Sequence, residues 1–128
     1  MVSRNGHDGV SRYYNTINKY QILTTDQEID LALRIKAGDK NAEEKMIVHN
    51  LRMAANIARR YAVKREPTGR LDQEDFLDLA QEGTLGLMKA VKRFDPAFNC
   101  TFSTYAYYWI RQSITRGIAN DISVRGSY

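Results

Sequence analysis

Two prolines, Pro67 and Pro96, are all that interrupt this chain of 128 residues, and each falls where the apolar pattern changes. Elsewhere apolar residues recur at three- and four-residue steps and nowhere alternate as a half-buried strand would. Ile47, Leu51, Ala54, Ala58 and Tyr61 form one such stripe. That spacing gathers apolar side chains on one helical face, which needs another helix to cover it. The chain is therefore expected to be all-α, a compact helical bundle of four to five helices.

Capping chemistry sets the helix limits. Residues 1–12 are polar, with Gly6 and Gly9, and read as a flexible tail. A short helix is expected over Tyr13 to Tyr20. Thr24 or Thr25 then precedes Asp26, Gln27 and Glu28, an N-cap followed by acids at the positive end of a helix dipole. That helix should run to Lys36–Ala37 and end at Gly38. Asp39 or Asn41 opens the next, which the apolar stripe carries to about Val63. Lys64 to Leu71 reads as a loop. Asp72 caps a helix that stops at Asp95–Pro96, with Phe76, Leu79, Leu87, Ala90 and Val91 as core. Thr101 caps a last helix from Phe102 to about Ala119.

The length fits one domain, and 43% apolar residues suffice for a core. A lone Cys100 excludes an internal disulfide, and with only His7 and His49 beside it, a Cys/His zinc site. No apolar run approaches the about 18 residues of a membrane span, and no signal-peptide pattern appears. A cytoplasmic protein without a membrane partner is expected. The net charge of +4 hides an uneven distribution. Residues 45–70 carry seven basic side chains against one acid, Glu66, whereas residues 71–82 carry five acids and no base. Basic stretches attract phosphates; an acidic block suits a different, basic partner. Both runs are also what ordinary solvated helix faces look like.

The last helix has two faces. Six of the twelve residues from 98 to 109 are aromatic. On a wheel, Ala106, Ile110, Ser113, Ile114 and Gly117 share one side, a natural core face. Tyr105, Tyr108, Trp109, Gln112, Thr115 and Arg116 share another. Rings can stack on unpaired bases, an amide can pair with a base edge and a guanidinium can hold phosphate. Aromatics at helical spacing can equally be core. Gln112 and Arg116 on the same side weigh against that, because neither buries cheaply without partners.

Several spaced motifs then coincide: Asn50-Leu51-Arg52, Ile57-Ala58-Arg59-Arg60-Tyr61, Phe76-Leu77-Asp78-Leu79 with Gln81-Glu82-Gly83, Gly86 to Val91, Phe102-Ser103-Thr104-Tyr105-Ala106 and Trp109-Ile110-Arg111-Gln112 with Ile114-Thr115-Arg116. In this order they resemble the second conserved region of the bacterial sigma-70 family of transcription initiation factors. Upstream, Leu23-Thr24 and Arg34 to Asp39 resemble the family's first region. The resemblance covers residues 13–120. It leaves 121–128 as a tail or the truncated start of the next region.

The resemblance implies a factor that binds core RNA polymerase and recognises and melts the promoter −10 element. Its partners would be the polymerase β′ coiled coil and promoter DNA, as duplex and as non-template single strand, with room for an anti-sigma factor or a coactivator. Leu77, Asp78, Gln81, Glu82 and Met88 match the polymerase-binding surface. The acidic block as a whole is assigned to that contact. Tyr108 and Trp109 match an aromatic wedge at the upstream edge of the bubble. Tyr105 matches a ring stacking on a flipped adenine, with Phe94, Asp95 and Gln112 around it. Gln112 and Thr115 match readers of the first −10 base pair. Asn50 and Ser103 match the lining of a second flipped-base pocket, and Arg52, Lys92, Arg93, Arg111 and Arg116 match phosphate contacts.

The chain also departs from the family. Tyr108 stands where many members have a second tryptophan. Cys100-Thr101 replaces the usual aromatic-basic pair, which leaves the adenine pocket short of a wall. Phe98 stands where a basic residue is common, Thr84 replaces a frequent asparagine, and the 64–75 loop is longer than in compact versions. The alternative reading is a module that docks on polymerase, or is held by a regulator, without selecting promoters. An enzyme finds no support, since no nucleophile–base pair, metal constellation or phosphate-binding glycine loop occurs. No cofactor and no metal are expected. A full factor would also need −35-reading and linker domains, so the chain is expected to be a fragment or a minimal factor that borrows its upstream contacts.

Overall fold

The computed structural model describes the backbone of residues 8–126 and the side chains of 8–121. Six helices follow in order: α1 (Gly9–Ile17), α2 (Thr25–Lys36), α3 (Lys40–Val48), α4 (Leu51–Arg65), α5 (Gln73–Arg93) and α6 (Phe102–Gly126). No strand occurs among the described residues. The starts of α2, α3, α5 and α6 are chemically marked. Thr24 and Gln27 form a reciprocal capping box on α2. The Asp39 carboxylate accepts from the Asn41 and Ala42 amides, and Asp72 accepts from Asp75. Thr101 Oγ1 accepts from the Thr104 amide at the head of α6.

The helix count exceeds the expected four to five, because the stretch from Asp39 to about Val63 is two helices. Asn50 makes the break. A continuous helix would give the Met46 carbonyl the Asn50 amide. Instead that amide donates to Ile47 O, and the side-chain Nδ2 of Asn50 donates to Met46 O at 2.8 Å. The side chain thus replaces the backbone donor and the helix restarts at Leu51. The apolar stripe runs through the break because both halves bury on the same core.

Two limits also differ. The chain is already helical at Gly9, capped by Asp8, so only residues 1–7 of the expected tail stay outside the described residues. At the other end, α6 continues past Ala119 to Gly126. It takes in the segment read from the sequence as a tail, whose last two residues lie outside the described ones.

The core is central. Phe76, Leu79, Leu87 and Val91 of α5 meet Ile57 and four alanines of α4, with Phe102, Ala106, Ile110 and Ile114 of α6 on the far side. Helices α5 and α6 approach closely at Gly86, where any Cβ would collide with the backbone of Trp109 and Ile110. This contact fixes the rotation of α6, and therefore which of its side chains look outward. Loop 66–72 leaves α4 at Glu66 and turns through Gly69, which has a φ of 74°.

Candidate functional site

Rotation of α6 separates the two faces of the wheel, except that Tyr105 and Trp109 of the outward set also pack in part against the core. Phe102, Ala106, Ile110 and Ile114 are buried, while Ser113 and Gly117 lie half-buried against α5. Tyr108 is 65% exposed. Gln112, Thr115, Arg116 and Arg111 are exposed, and Tyr105 and Trp109 are half-buried. The rings form a tier: Tyr105 lies 6.2 Å from Trp109, 5.4 Å from Phe94 and 5.4 Å from Phe98. The Arg93 guanidinium covers the Trp109 ring. Thr115 Oγ1 donates back to Arg111 O at 2.9 Å, which leaves its lone pairs outward.

Asp95 lies at the foot of this tier. Its carboxylate accepts from the Ala97 amide and from Lys36 Nζ of α2. The Ala97 hydrogen bond and the Lys36 charge together hold its pKa below the ordinary value. Lys92, a candidate phosphate contact, stays exposed with Glu43 3.9 Å away.

A groove of about 640 Å³ runs between α2, α4 and α6, within the about 300–1,000 Å³ typical of ligand sites. Asn50 and Ser103, far apart in sequence, both line it. Arg52 does too, but its Nη2 lies 3.4 Å from the carbonyl oxygens of Asn18 and Tyr20. It is half-buried and braces the α1–α2 linker, so less of it is offered to phosphate than Arg59 and Arg60 offer at the rim.

Sequence reasoning missed Glu28 and Tyr107 in this groove. Glu28 is also a first-turn acid of α2. Its half-burial pushes the carboxyl pKa up. Tyr107 falls on neither face of the helical wheel, and its place in the groove depends on α4 packing beside it.

The acidic segment divides. Asp72 is spent on the α5 cap. Asp75 takes Arg65 Nη1 at 2.6 Å, and the other arm of that guanidinium reaches Asp121 at 2.8 Å. Burial pushes the Asp75 carboxyl up against the pull of Arg65. The assignment of the whole block to a partner is therefore corrected: these two acids serve the fold. Asp78 and Gln81 are exposed and Glu82 is half-buried over Gly117. Met88 is 38% exposed and Leu85 is 52% exposed. Leu77 is half-buried and reaches Gly9 of α1. Leu85 escaped the sequence reading, although its position outside the Phe76–Leu79–Leu87 core spacing was a signal. With Glu82, Met88 and Lys89 it lines a shallow, mostly apolar groove.

Among the described residues no cluster of His, Cys, Asp and Glu could hold a metal ion. None of the helices there is long and apolar enough to cross a membrane. Cys100 is exposed on the turn before α6.

Comparison with known proteins agrees with this arrangement. The family model for sigma-70 region 2 matches residues 46–121, and that for sigma-70 factor region 1.2 matches residues 8–41. The chain is similar to the RNA polymerase sigma factor SigA of Clostridium acetobutylicum, 50% identical over 113 residues, or 88% of this chain and 28% of that protein. It is similar to SigA of Listeria monocytogenes, 48% identical over 114 residues, 89% of this chain and 28% of that one. SigA of a Bacillus species is 45% identical over 114 residues, with the same shares. The chain spans about 28% of the length of these relatives.

Proposed function

The chain belongs to the sigma-70 family through its regions 1.2 and 2, and from that premise we propose that it binds core RNA polymerase and recognises and melts the promoter −10 element. The observation that carries this reading is the outward face of α6. Tyr108, Gln112 and Arg116 are exposed and the half-buried Trp109 keeps part of its ring at the surface, where a module that only docks would have no use for them.

In this reading the two sides of the bundle divide the work. Asp78, Glu82, Leu85 and Met88 of α5 meet the polymerase, the carboxylates pairing with basic side chains while the apolar pair is covered. Gln112 and Thr115 read the first −10 base pair from the duplex side. Tyr108 and Trp109 wedge at the upstream edge of the bubble. Flipping a base costs a few kcal/mol, and stacking returns about 1–3 kcal/mol per base. Two prepared sites, one at Tyr105 and one in the groove of Asn50 and Ser103, would therefore roughly offset two extrusions. Lys92, Arg93, Arg111 and Arg116 follow the phosphates.

The deciding experiment is run-off transcription with core polymerase on a library of −10 sequences. Transcripts that depend on this chain and on the −10 sequence are expected. Binding to polymerase without any −10 dependence would favour the docking-module alternative.

A further inference from the structure

Four side chains form a straight row along the outside of α5. Asp78, Glu82, Leu85 and Lys89 follow one another at steps of four, three and four residues. At about 100° per residue they stay within about 60° of each other over about three turns, or about 16 Å. Gln81, Met88 and Lys92 flank the row on one side. Of these residues all but the half-buried Glu82 are exposed. The core side chains of α5, among them Phe76, Leu79, Leu87 and Val91, point the other way. Alternating steps of three and four residues suit a helix surface that receives another helix.

The row borders α6. Toward the start of α5, Asp78, Glu82 and Leu85 share a groove with Gly117 and Asp121. Toward its end, Glu82, Leu85 and Lys89 share another with Ser113 and Arg116. Glu82 and Leu85 line both, so the two grooves form one furrow along the α5–α6 seam. Gly117 keeps it open, since a Cβ there would lie 3.0 Å from Glu82 Cγ. Charge changes sign along this furrow. Asp78 and Glu82 come first, Leu85 and Met88 lie in the middle, and Lys89 comes last. The cation at the acidic end, Arg65, is held between Asp75 and Asp121 at 2.6 and 2.8 Å. At the other end Lys92 has Glu43 3.9 Å away, and Arg116 belongs to the outward face of α6. Lys89 is the cation that remains for a partner in the furrow.

We propose that Lys89 fixes the direction in which the polymerase helix lies along this seam: basic side chains at Asp78 and Glu82, apolar ones over Leu85 and Met88, and an acidic one against Lys89. The proposal rests on the reading of α5 as the polymerase-docking face and adds an orientation to it. Two carboxylates beside an apolar pair attract a basic segment without saying where its other end goes. Lys89 refuses the reversed arrangement. A reversed helix would set its basic end on a lysine and its acidic end on Asp78 and Glu82, and like charges across an interface are costly. The lysine therefore acts by exclusion as much as by attraction.

The test measures the affinity of the full chain for core RNA polymerase in the absence of DNA, so that phosphate attraction does not enter. Lys89→Glu should weaken binding about tenfold or more, and Lys89→Gln, which removes the charge without reversing it, by less. The double variant Glu82→Lys with Lys89→Glu keeps the net charge and the apolar middle and inverts only the polarity. It should bind no better than Glu82→Lys alone. Circular dichroism of each variant checks that it folds, as substitution at the exposed Lys89 should allow. Equal affinity of Lys89→Glu and the parent would overturn the proposal. So would recovery in the double variant, because net charge would then suffice. Glu82→Lys alone separates the two levels. If it binds as the parent does, the docking reading itself fails; if it loses binding and Lys89→Glu does not, only the orientation is wrong.

Discussion

The guanidinium carbon of Arg93 lies 4.7 Å from the centroid of the Trp109 ring. One residue ends α5 and the other sits on α6, so the contact sets the angle at which the indole leaves the surface. A cation over tryptophan contributes about 0.5–1 kcal/mol when exposed and more when desolvated. With Trp109 as part of the wedge, Trp109→Ala should reduce promoter opening about tenfold, as loss of about 1.4 kcal/mol of stacking would. Binding to core polymerase should change little. Arg93→Ala should produce a smaller defect, and the double variant should fall short of the sum of the two, because part of each loss is the contact they share. Permanganate reactivity of the −10 thymines reads opening directly; normal melting in Trp109→Ala would reject the wedge.

The split of the acidic segment makes a second contrast. Glu82→Lys should weaken binding to core polymerase by about 100-fold or more, because a contacting carboxylate becomes a repelling cation. Asp72→Ala should leave polymerase binding near normal but destabilise the domain by about 1 kcal/mol through loss of the α5 cap. A pull-down with both variants, beside thermal unfolding, separates docking from folding. Unchanged capture of Glu82→Lys would sink the docking assignment.

How much of this was legible beforehand depends on the range of the interaction involved. Helix caps are local, so Asp39, Asp72 and Thr101 announced themselves in the sequence. The core and outer faces of α6 followed from angular spacing alone. The break at Asn50 did not, because an asparagine inside an apolar stripe gives no local sign that its amide will take the Met46 carbonyl. Nor did the loss of Asp75 to the fold, which needs Arg65 and Asp121 brought in from two other helices. Phe98 was visible as a departure from the family, but that it lies against Tyr105 depends on the Asp95 turn.

Asn50 carries two roles that can be separated. Its Nδ2 satisfies the Met46 carbonyl at a buried position. Asn50→Ala leaves that carbonyl unpaired and should cost about 1–3 kcal/mol, a fall in Tm of about 4 °C or more. Any loss of −10 strand binding beyond the unfolded fraction then belongs to the groove. Calorimetry and oligonucleotide titration at a temperature where the variant is folded would measure the two independently. An unchanged Tm would show that the helix break does not need this hydrogen bond.

Gln112 is exposed and has its amide free to reach a base edge, one turn beyond Trp109. Removal of a bidentate amide contact relaxes discrimination by about 1–3 kcal/mol at one base pair. Gln112→Ala should therefore flatten the preference at the upstream −10 base pair and leave the other positions as they were. Run-off transcription across the single-base variants of the element reads this pattern. An identical promoter profile would reject Gln112 as a reader.

Acid should find the weak points of the fold at two carboxylates. The amide of Ala42, then the guanidinium of Arg34, hold Asp39 below its ordinary pKa, and Ala97 and Lys36 do the same for Asp95. A carboxyl whose folded pKa is depressed stabilises the fold above its unfolded value, near pH 4, and that contribution disappears as pH falls through the folded value. Tm should thus be level near neutrality and drop below about pH 4. Asp39→Asn keeps a good helix cap but no titrating charge. Its Tm should be lower than that of the parent at pH 6, and the gap should narrow as pH falls through the depressed Asp39 value. Asp95→Asn should converge in the same direction, since its amide oxygen can still accept from Ala97 while the attraction to Lys36 is gone. Thermal unfolding followed by circular dichroism between pH 3 and 6 makes the comparison. Parallel curves for parent and variants across that range would show that neither carboxylate contributes through its charge.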